Sequence, residues 1–313
     1  MIKEEKIIIS NDINIGATIA YKDKTEKRPL VLLIAGTGSS NRDGNSIGFK
    51  SNIYKDLSDM FVNMGYVCVR YDKRGTHEST GNGKISGLSD LVNDAANVIH
   101  YAKKLEYIDE SKIVVCGHSE GSMIATLLTK DKQLDLNGLI LLSGACTSLK
   151  DAMLYQNYLV LEQVKNMKGI LGWYLRKVIN EEKIDKQVNE LYEKAEKSNK
   201  PRYFYNGMFF STKYMKEHNA LTKNDYINIL KEYKGKVLAI TGKKDVQANY
   251  NDLEAIRFLD NVTIYEPEDI NHILREVESE NNIMNIKKEY KLLFKKPISK
   301  KINNSIKNWI NNI

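Results

Sequence analysis

Residues Ile113 to Met123, IVVCGHSEGSM, constrain this chain more than any other stretch. Four apolar residues lead into Gly117-His118-Ser119-Glu120-Gly121, and a helix-like run from Ser122 to Lys130 follows. Gly-x-Ser-x-Gly between a strand and a helix forces a turn so tight that the serine backbone is strained. The flanking glycines leave space where a Cβ would collide. Such a turn presents Ser119 Oγ at the carboxyl edge of a sheet. It also sets the Glu120 amide at a helix N-terminus, where an N–H can meet developing negative charge.

The surrounding pattern supplies the sheet. Lys6–Ile9 and Ala17–Tyr21 read as an entry hairpin, and Leu30–Ala35 (LVLLIA) as a central strand buried on both faces. A glycine- and hydroxyl-rich loop from Gly36 to Asn45 follows. Ile53 to Met64 has helical spacing closed by Gly65, Tyr66–Tyr71 is a strand, and Leu88–Leu105 a long helix. Beyond the Ser119 turn, Leu139–Ser143 is another strand. Strand and helix alternating in this way predict an α/β, mostly parallel, doubly wound sheet.

The rhythm breaks between about Thr147 and Tyr233, where aromatic residues crowd into a stretch with no buried strand run. It resumes with Lys236–Thr241 (KVLAIT), a helix near Tyr250–Leu259 and the strand Val262–Tyr265. The expected organisation is a sheet core over 1–146, an inserted helical cap over 147–234, and the rest of the core over 235–313.

Composition narrows the classes. No apolar run approaches the roughly 20 residues of a membrane span, and MIKEEKIIISND has no apolar signal core, so a cytoplasmic protein without a membrane span is expected. Three cysteines, Cys68, Cys116 and Cys146, sit in or beside strand-like runs without metal-ligand spacing, which argues for a reducing compartment. The net charge of +7 is densest at Lys287, Lys288, Lys291, Lys295, Lys296, Lys300 and Lys301. No aromatic residues interleave there as a stacking platform requires, so a solvated terminal helix is expected rather than a nucleic-acid surface.

A serine hydroxyl needs a base to become a nucleophile at neutral pH, and that base needs a carboxylate to orient it. Of the five histidines, His118 adjoins the serine, His100 lies in a helix and His218 in the cap. His272 follows the last strand in the loop Pro267 to His272 and is the expected base, with His77 the other candidate. Asp245, just after KVLAIT, is the expected acid, ahead of Asp269 and Asp260. The loop after LVLLIA offers a second oxyanion donor in the Thr37 amide, beside that of Glu120. The expectation is that the Ser119 hydroxyl meets the His272 ring and that this ring meets Asp245.

Together LLIAGTGSSNRDGN, RYDKRGTHES, CGHSEG, ITGKKDVQAN and INHIL resemble the α/β-hydrolase superfamily across most of the chain outside the cap, in its bacterial esterase and serine-peptidase-like (prolyl-oligopeptidase-related) branch. The resemblance implies the α/β-hydrolase fold with nucleophile Ser119, acid Asp245, base His272 and an oxyanion contribution from Thr37. Asn41 and His77 depart from that branch, which often has aspartate and a small residue there. The expected function is hydrolysis of carboxylic esters through an acyl-enzyme, on a small-molecule ester or short acyl substrate. No metal or organic cofactor, and no nucleic-acid partner, is expected. His77, Phe209 and Phe210 are candidate pocket residues. A small peptidase or amidase of the same chemistry, and a silent binding protein on the same fold, are the alternatives.

Overall fold

Along each buried strand, successive side chains alternate between two separate apolar layers, the period-2 signature of a sheet covered on both faces. Leu30, Leu32 and Ile34 enter one layer, Val31 and Leu33 the other. The computed structural model describes residues 1–278 and 282–313.

The chain runs β1 (Lys3–Ser10), β2 (Asn14–Tyr21), β3 (Arg28–Ile34), a two-rung ribbon β4 (Asn45–Ser46) and β5 (Phe49–Lys50), α1 (Ile53–Asn63), β6 (Val67–Tyr71), α2 (Leu88–Lys103), β7 (Ile108–His118), α3 (Glu120–Leu128) and β8 (Gly138–Leu142). The inserted segment holds α4 (Leu149–Lys165), α5 (Gly169–Val178), α6 (Glu181–Lys197), β9 (Arg202–Tyr205), β10 (Met208–Ser211), α7 (Thr212–Asn219) and α8 (Lys223–Glu232). After it come β11 (Lys236–Ile240), β12 (Val262–Tyr265), α9 (Ile286–Leu293) and α10 (Lys300–Ile310). The main sheet has the order β1-β2-β6-β3-β7-β8-β11-β12. It is antiparallel where β1 meets β2 and β2 meets β6, and parallel from β6 onward.

Helices α2 and α3 bury Ala95, Val98, Ile99, Ile124 and Leu128 on one face. On the other, α1 and α10 bury Leu57, Phe61, Ile302 and Ile306. The basic C-terminal stretch spans α9, which carries Lys287, Lys288 and Lys291, and the start of α10, an amphipathic core helix whose Ile302, Ile306, Trp309 and Ile310 face inward while Lys301 and Lys307 lie outside.

Two elements differ from the sequence reading. The insertion is not wholly helical, because β9 and β10 pair around Asn206-Gly207, both at positive φ (45° and 83°). That backbone is the one a tight two-residue hairpin demands, and Asn-Gly is the dipeptide that tolerates it. The expected helix near Tyr250 is a shorter 3-10 run, Tyr250–Ile256, whose buried Leu253 and Ile256 are three residues apart, one turn of that helix. The insertion has its own small core of Val188, Leu191, Tyr192, Ala195, Tyr203, Tyr205 and Met215, whereas Leu230 of α8 and the adjacent Tyr233 pack into the main core.

Because α10 is anchored by packing and not by charge, Ile306→Ala should lower unfolding stability by about 2–5 kcal/mol. Lys307→Gln should change it by less than about 0.5 kcal/mol. Urea titration of the two variants checks this; equal effects would place the helix outside the core.

Candidate active site

The turn after β7 carries the strain the sequence implies. Ser119 sits at φ 56°, ψ −121°, directly before α3. A Cβ on Gly117 would lie 2.1 Å from Gly121 O, one on Gly121 2.2 Å from Ile34 O, and one on Gly144 2.4 Å from Ser119 O. Three glycines therefore let β3, β7, α3 and the end of β8 close on a single serine. The Ser119 N–H is held by Leu142 O at 2.8 Å, which fixes the turn to the neighbouring strand.

Asp245 and His272 meet as expected. His272 Nδ1 donates to Asp245 Oδ2 at 2.9 Å, with Oδ1 at 3.1 Å, and both side chains are buried. Asp245 Oδ1 also accepts the Gln247 and Ala248 amides at 2.8 and 2.9 Å, so the carboxylate is fixed by its own turn. With Nδ1–H committed, Nε2 is the ring's free lone pair. Asp269 is instead paired with Lys301 at 2.6 Å, and Asp260 is exposed. Ser119 and His272 line one cavity of about 490 Å³. No hydrogen bond among the described residues joins their side chains, so the expected Ser119–His272 contact is not closed here. Such bonds often tighten only when substrate is bound.

The loop after β3 lies against the serine: a Cβ on Gly36 would come within 3.0 Å of Ser119 Cβ. The next amide, Thr37 N–H, makes no hydrogen bond among the described residues. Glu120 N–H opens α3, where first-turn amides have no intrahelical acceptor. The sequence reading named these two amides as candidate oxyanion donors.

Two buried networks brace this loop, and sequence reasoning missed most of their members. Gly36 N–H donates to Tyr54 Oη (2.7 Å), Tyr54 lies 3.1 Å from His118 Nδ1, and His118 Nε2 lies 2.8 Å from the carbonyl of His272. A carbonyl can only accept, so Nε2 carries the proton, Nδ1 accepts from Tyr54, and the phenol oxygen takes the Gly36 amide. Burial pushes the His118 pKa down to about 3, with the His272 charge adding to the effect, so the ring stays neutral. In the second network Lys73 Nζ donates to Gly36 O (2.8 Å) and pairs with Glu120, which also accepts the Tyr214 hydroxyl from α7. Burial pushes the Glu120 carboxyl up, but the Lys73 charge and the hydrogen bonds from Lys73 and Tyr214 outweigh it and hold the carboxyl below its usual range.

A second cavity, of about 960 Å³, adjoins the first and shares Thr37, Gly38, Ser39, Leu149 and Met153 with it. The candidate pocket residues Phe209 and Phe210 line this cavity and not the one that holds Ser119 and His272. His77 lines neither cavity. At φ 45° it is turned so that Nε2 reaches Ser39 O at 3.0 Å, bracing the loop from outside. Cys68, Cys116 and Cys146 are buried free thiols, and burial pushes Cys68 and Cys146 up to about 12. No group of three or more His, Cys, Asp or Glu among the described residues could hold a metal ion, and no helix is long and apolar enough to cross a membrane.

The profile of the family described as serine aminopeptidase, S33, matches residues 47–203, half of the chain, and includes the Ser119 turn. The chain belongs to this hydrolase family. Esterase EstD of Thermotoga maritima is 23% identical over 286 residues, covering 90% of this chain and 62% of that relative, so the chain spans less than two thirds of its length. Among solved structures, Est1E from Butyrivibrio proteoclasticus with ferulic acid bound superposes with a TM-score of 0.58 at 17% identity, covering 94% of this chain and all of that one. A Pyrococcus furiosus esterase gives 0.55 at 12% identity, covering 98% of this chain and 91% of that one. These likenesses show that the family member has the α/β-hydrolase fold.

The neutral buried histidines make the fold acid-sensitive. His218, beside Tyr214, is pushed down to about 4 by burial. His118 and His218 both titrate near 6.5 in the unfolded chain, so it binds protons that the folded chain refuses. Stability is complete above about pH 6.5 and is lost as pH falls toward 4. Urea unfolding across that window should show the decline, and His218→Gln should reduce its slope by about one bound proton. An unchanged slope would contradict the assignment.

Proposed function

We propose that this chain is a serine hydrolase of carboxylic esters working through an acyl-enzyme on Ser119. The observation that carries the reading is the convergence on one cavity of a strained serine and a histidine whose ring is held by a buried carboxylate. His272 Nε2 takes the Ser119 proton as Oγ bonds to the ester carbonyl carbon. The Thr37 and Glu120 amides receive the oxyanion, a type of interaction worth about 3–4 kcal/mol per donor. The carbon–oxygen bond to the alcohol then breaks, and the alcohol leaves with the proton from His272. Water, deprotonated by the same ring, then frees the acid and restores the serine. Asp245 stabilises the imidazolium and keeps Nδ1 protonated throughout.

The choice of ester over peptide rests on the charges lining the cavities. An aminopeptidase must bind a free ammonium, which calls for an unengaged carboxylate near the nucleophile. Among the described residues Glu120 is the sole carboxylate lining either cavity, and it is taken by Lys73 and Tyr214. A cytoplasmic setting is part of the same proposal.

Turnover of p-nitrophenyl esters beside aminoacyl-anilides tests this. Ser119→Ala and Asp245→Asn should each lower ester kcat by about 10⁴-fold or more while the proteins remain folded. Activity confined to the anilides would overturn the ester assignment. Full activity in Ser119→Ala would overturn the mechanism.

A further inference from the structure

The two cavities divide the work of an ester substrate. His272 must hand its proton to the leaving alcohol, so the alcohol has to lie within reach of that ring. His272 lines the smaller cavity and not the larger one. Ser119 also lines only the smaller cavity; the larger one reaches the oxyanion turn through Thr37, which both cavities share, and through Glu120, which leaves it for the part of the acyl group beyond the carbonyl.

Its lining has an unusual charge balance. Leu149, Met153, Met208, Phe209, Phe210 and Met215 make the walls apolar. Four cations also line it, and two of them are already neutralised: Lys73 by Glu120, and Arg74 by Asp94 with bonds of 2.7 and 2.6 Å. The other two are Arg202 and Lys84. Neither forms an ion pair or a side-chain hydrogen bond among the described residues. Arg202 stands on β9 opposite Ser211, one diagonal from Phe209, and its guanidinium lies 4.7 Å from the Phe209 ring centroid. Its Nε is buried with no partner. A buried donor without an acceptor is costly, and a stacked guanidinium is a preorganised fork for a carboxylate. An apolar chamber with two of its four cations left unpaired is built for a ligand that is greasy along its length and anionic at its end.

We propose that the larger cavity is the acyl subsite and that it takes acyl groups ending in a carboxylate, the half-esters of dicarboxylic acids, with Arg202 reading the terminal anion and Lys84 assisting at the rim. This rests on the ester reading above. The acyl carbonyl bonds to Ser119, the alcohol departs protonated, and water releases the free diacid, so no further reactant is required.

The test compares p-nitrophenyl half-esters of straight-chain diacids, suberate and longer, with counterparts whose far carboxylate is methyl-capped. At these lengths the free carboxylate is too remote to attack its own ester. The readout is the ratio of kcat/KM, charged over capped. The wild type should favour the charged substrate by about tenfold or more at its best chain length, as a charge-assisted hydrogen bond allows. Arg202→Gln should bring that ratio down at least tenfold, Arg202→Lys should restore part of it, and Lys84→Gln should lower it less, with an effect that fades as salt rises. A wild-type preference for the capped esters, or a ratio unmoved by Arg202→Gln, would overturn the acyl-anion subsite while leaving the esterase reading intact. Absence of turnover in both series would overturn the esterase reading and this inference with it.

Discussion

The structure depends on how closely backbone can approach backbone around Ser119. With a Cβ at residue 117, 121 or 144, atoms would be forced to 2.1–2.4 Å, well inside contact distance. Because those side chains are absent, β7 can stop, reverse and start α3 within one residue, and the strain of that reversal is held by the sheet on either side. What the site needs follows from this one turn: a serine hydroxyl in the cavity, an amide at a helix start, and the carboxyl edge of the parallel strands within reach.

The site is then assembled by loops that share a brace. The Gly36–Thr37 backbone is tied by its amide to Tyr54 and by its carbonyl to Lys73. One tie continues through His118 to the backbone of His272, the other through Glu120 to Tyr214 of the insertion. The Gly36–Thr37 loop, the His272 loop and the insertion are thus joined by hydrogen bonds buried from water. In a low dielectric such bonds are strong when satisfied and costly when broken, which favours one arrangement over its alternatives.

Much of this was legible in the sequence because it lies in short-range patterns. The Gly-x-Ser-x-Gly turn, the buried strands β3, β7, β8 and β11, and the positions of Asp245 and His272 just past strand ends follow from local spacing and chain order. The β9–β10 hairpin had a local signal too, Asn206-Gly207, but the aromatic density around it obscured the alternation of buried Tyr203 and Tyr205 with exposed Phe204. The braces were not legible. Tyr54 is one residue in an amphipathic helix, and nothing nearby in sequence marks its hydroxyl as a partner of His118, 64 positions away. Lys73 stood at a strand end, a position that could have drawn notice, but Glu120 and Tyr214 become its network only through the fold. Arg202 is one cation in a lysine-rich chain, and its lack of a counter-ion among the described residues is a property of three dimensions.

The most direct measurement is covalent labelling with a fluorophosphonate, followed by mass mapping of the adduct. The account predicts one adduct, on the peptide that carries Ser119, formed at least about 10³-fold more slowly in folded His272→Gln because the hydroxyl then has no base. A folded protein that stays unlabelled, or an adduct on any other residue, would contradict it.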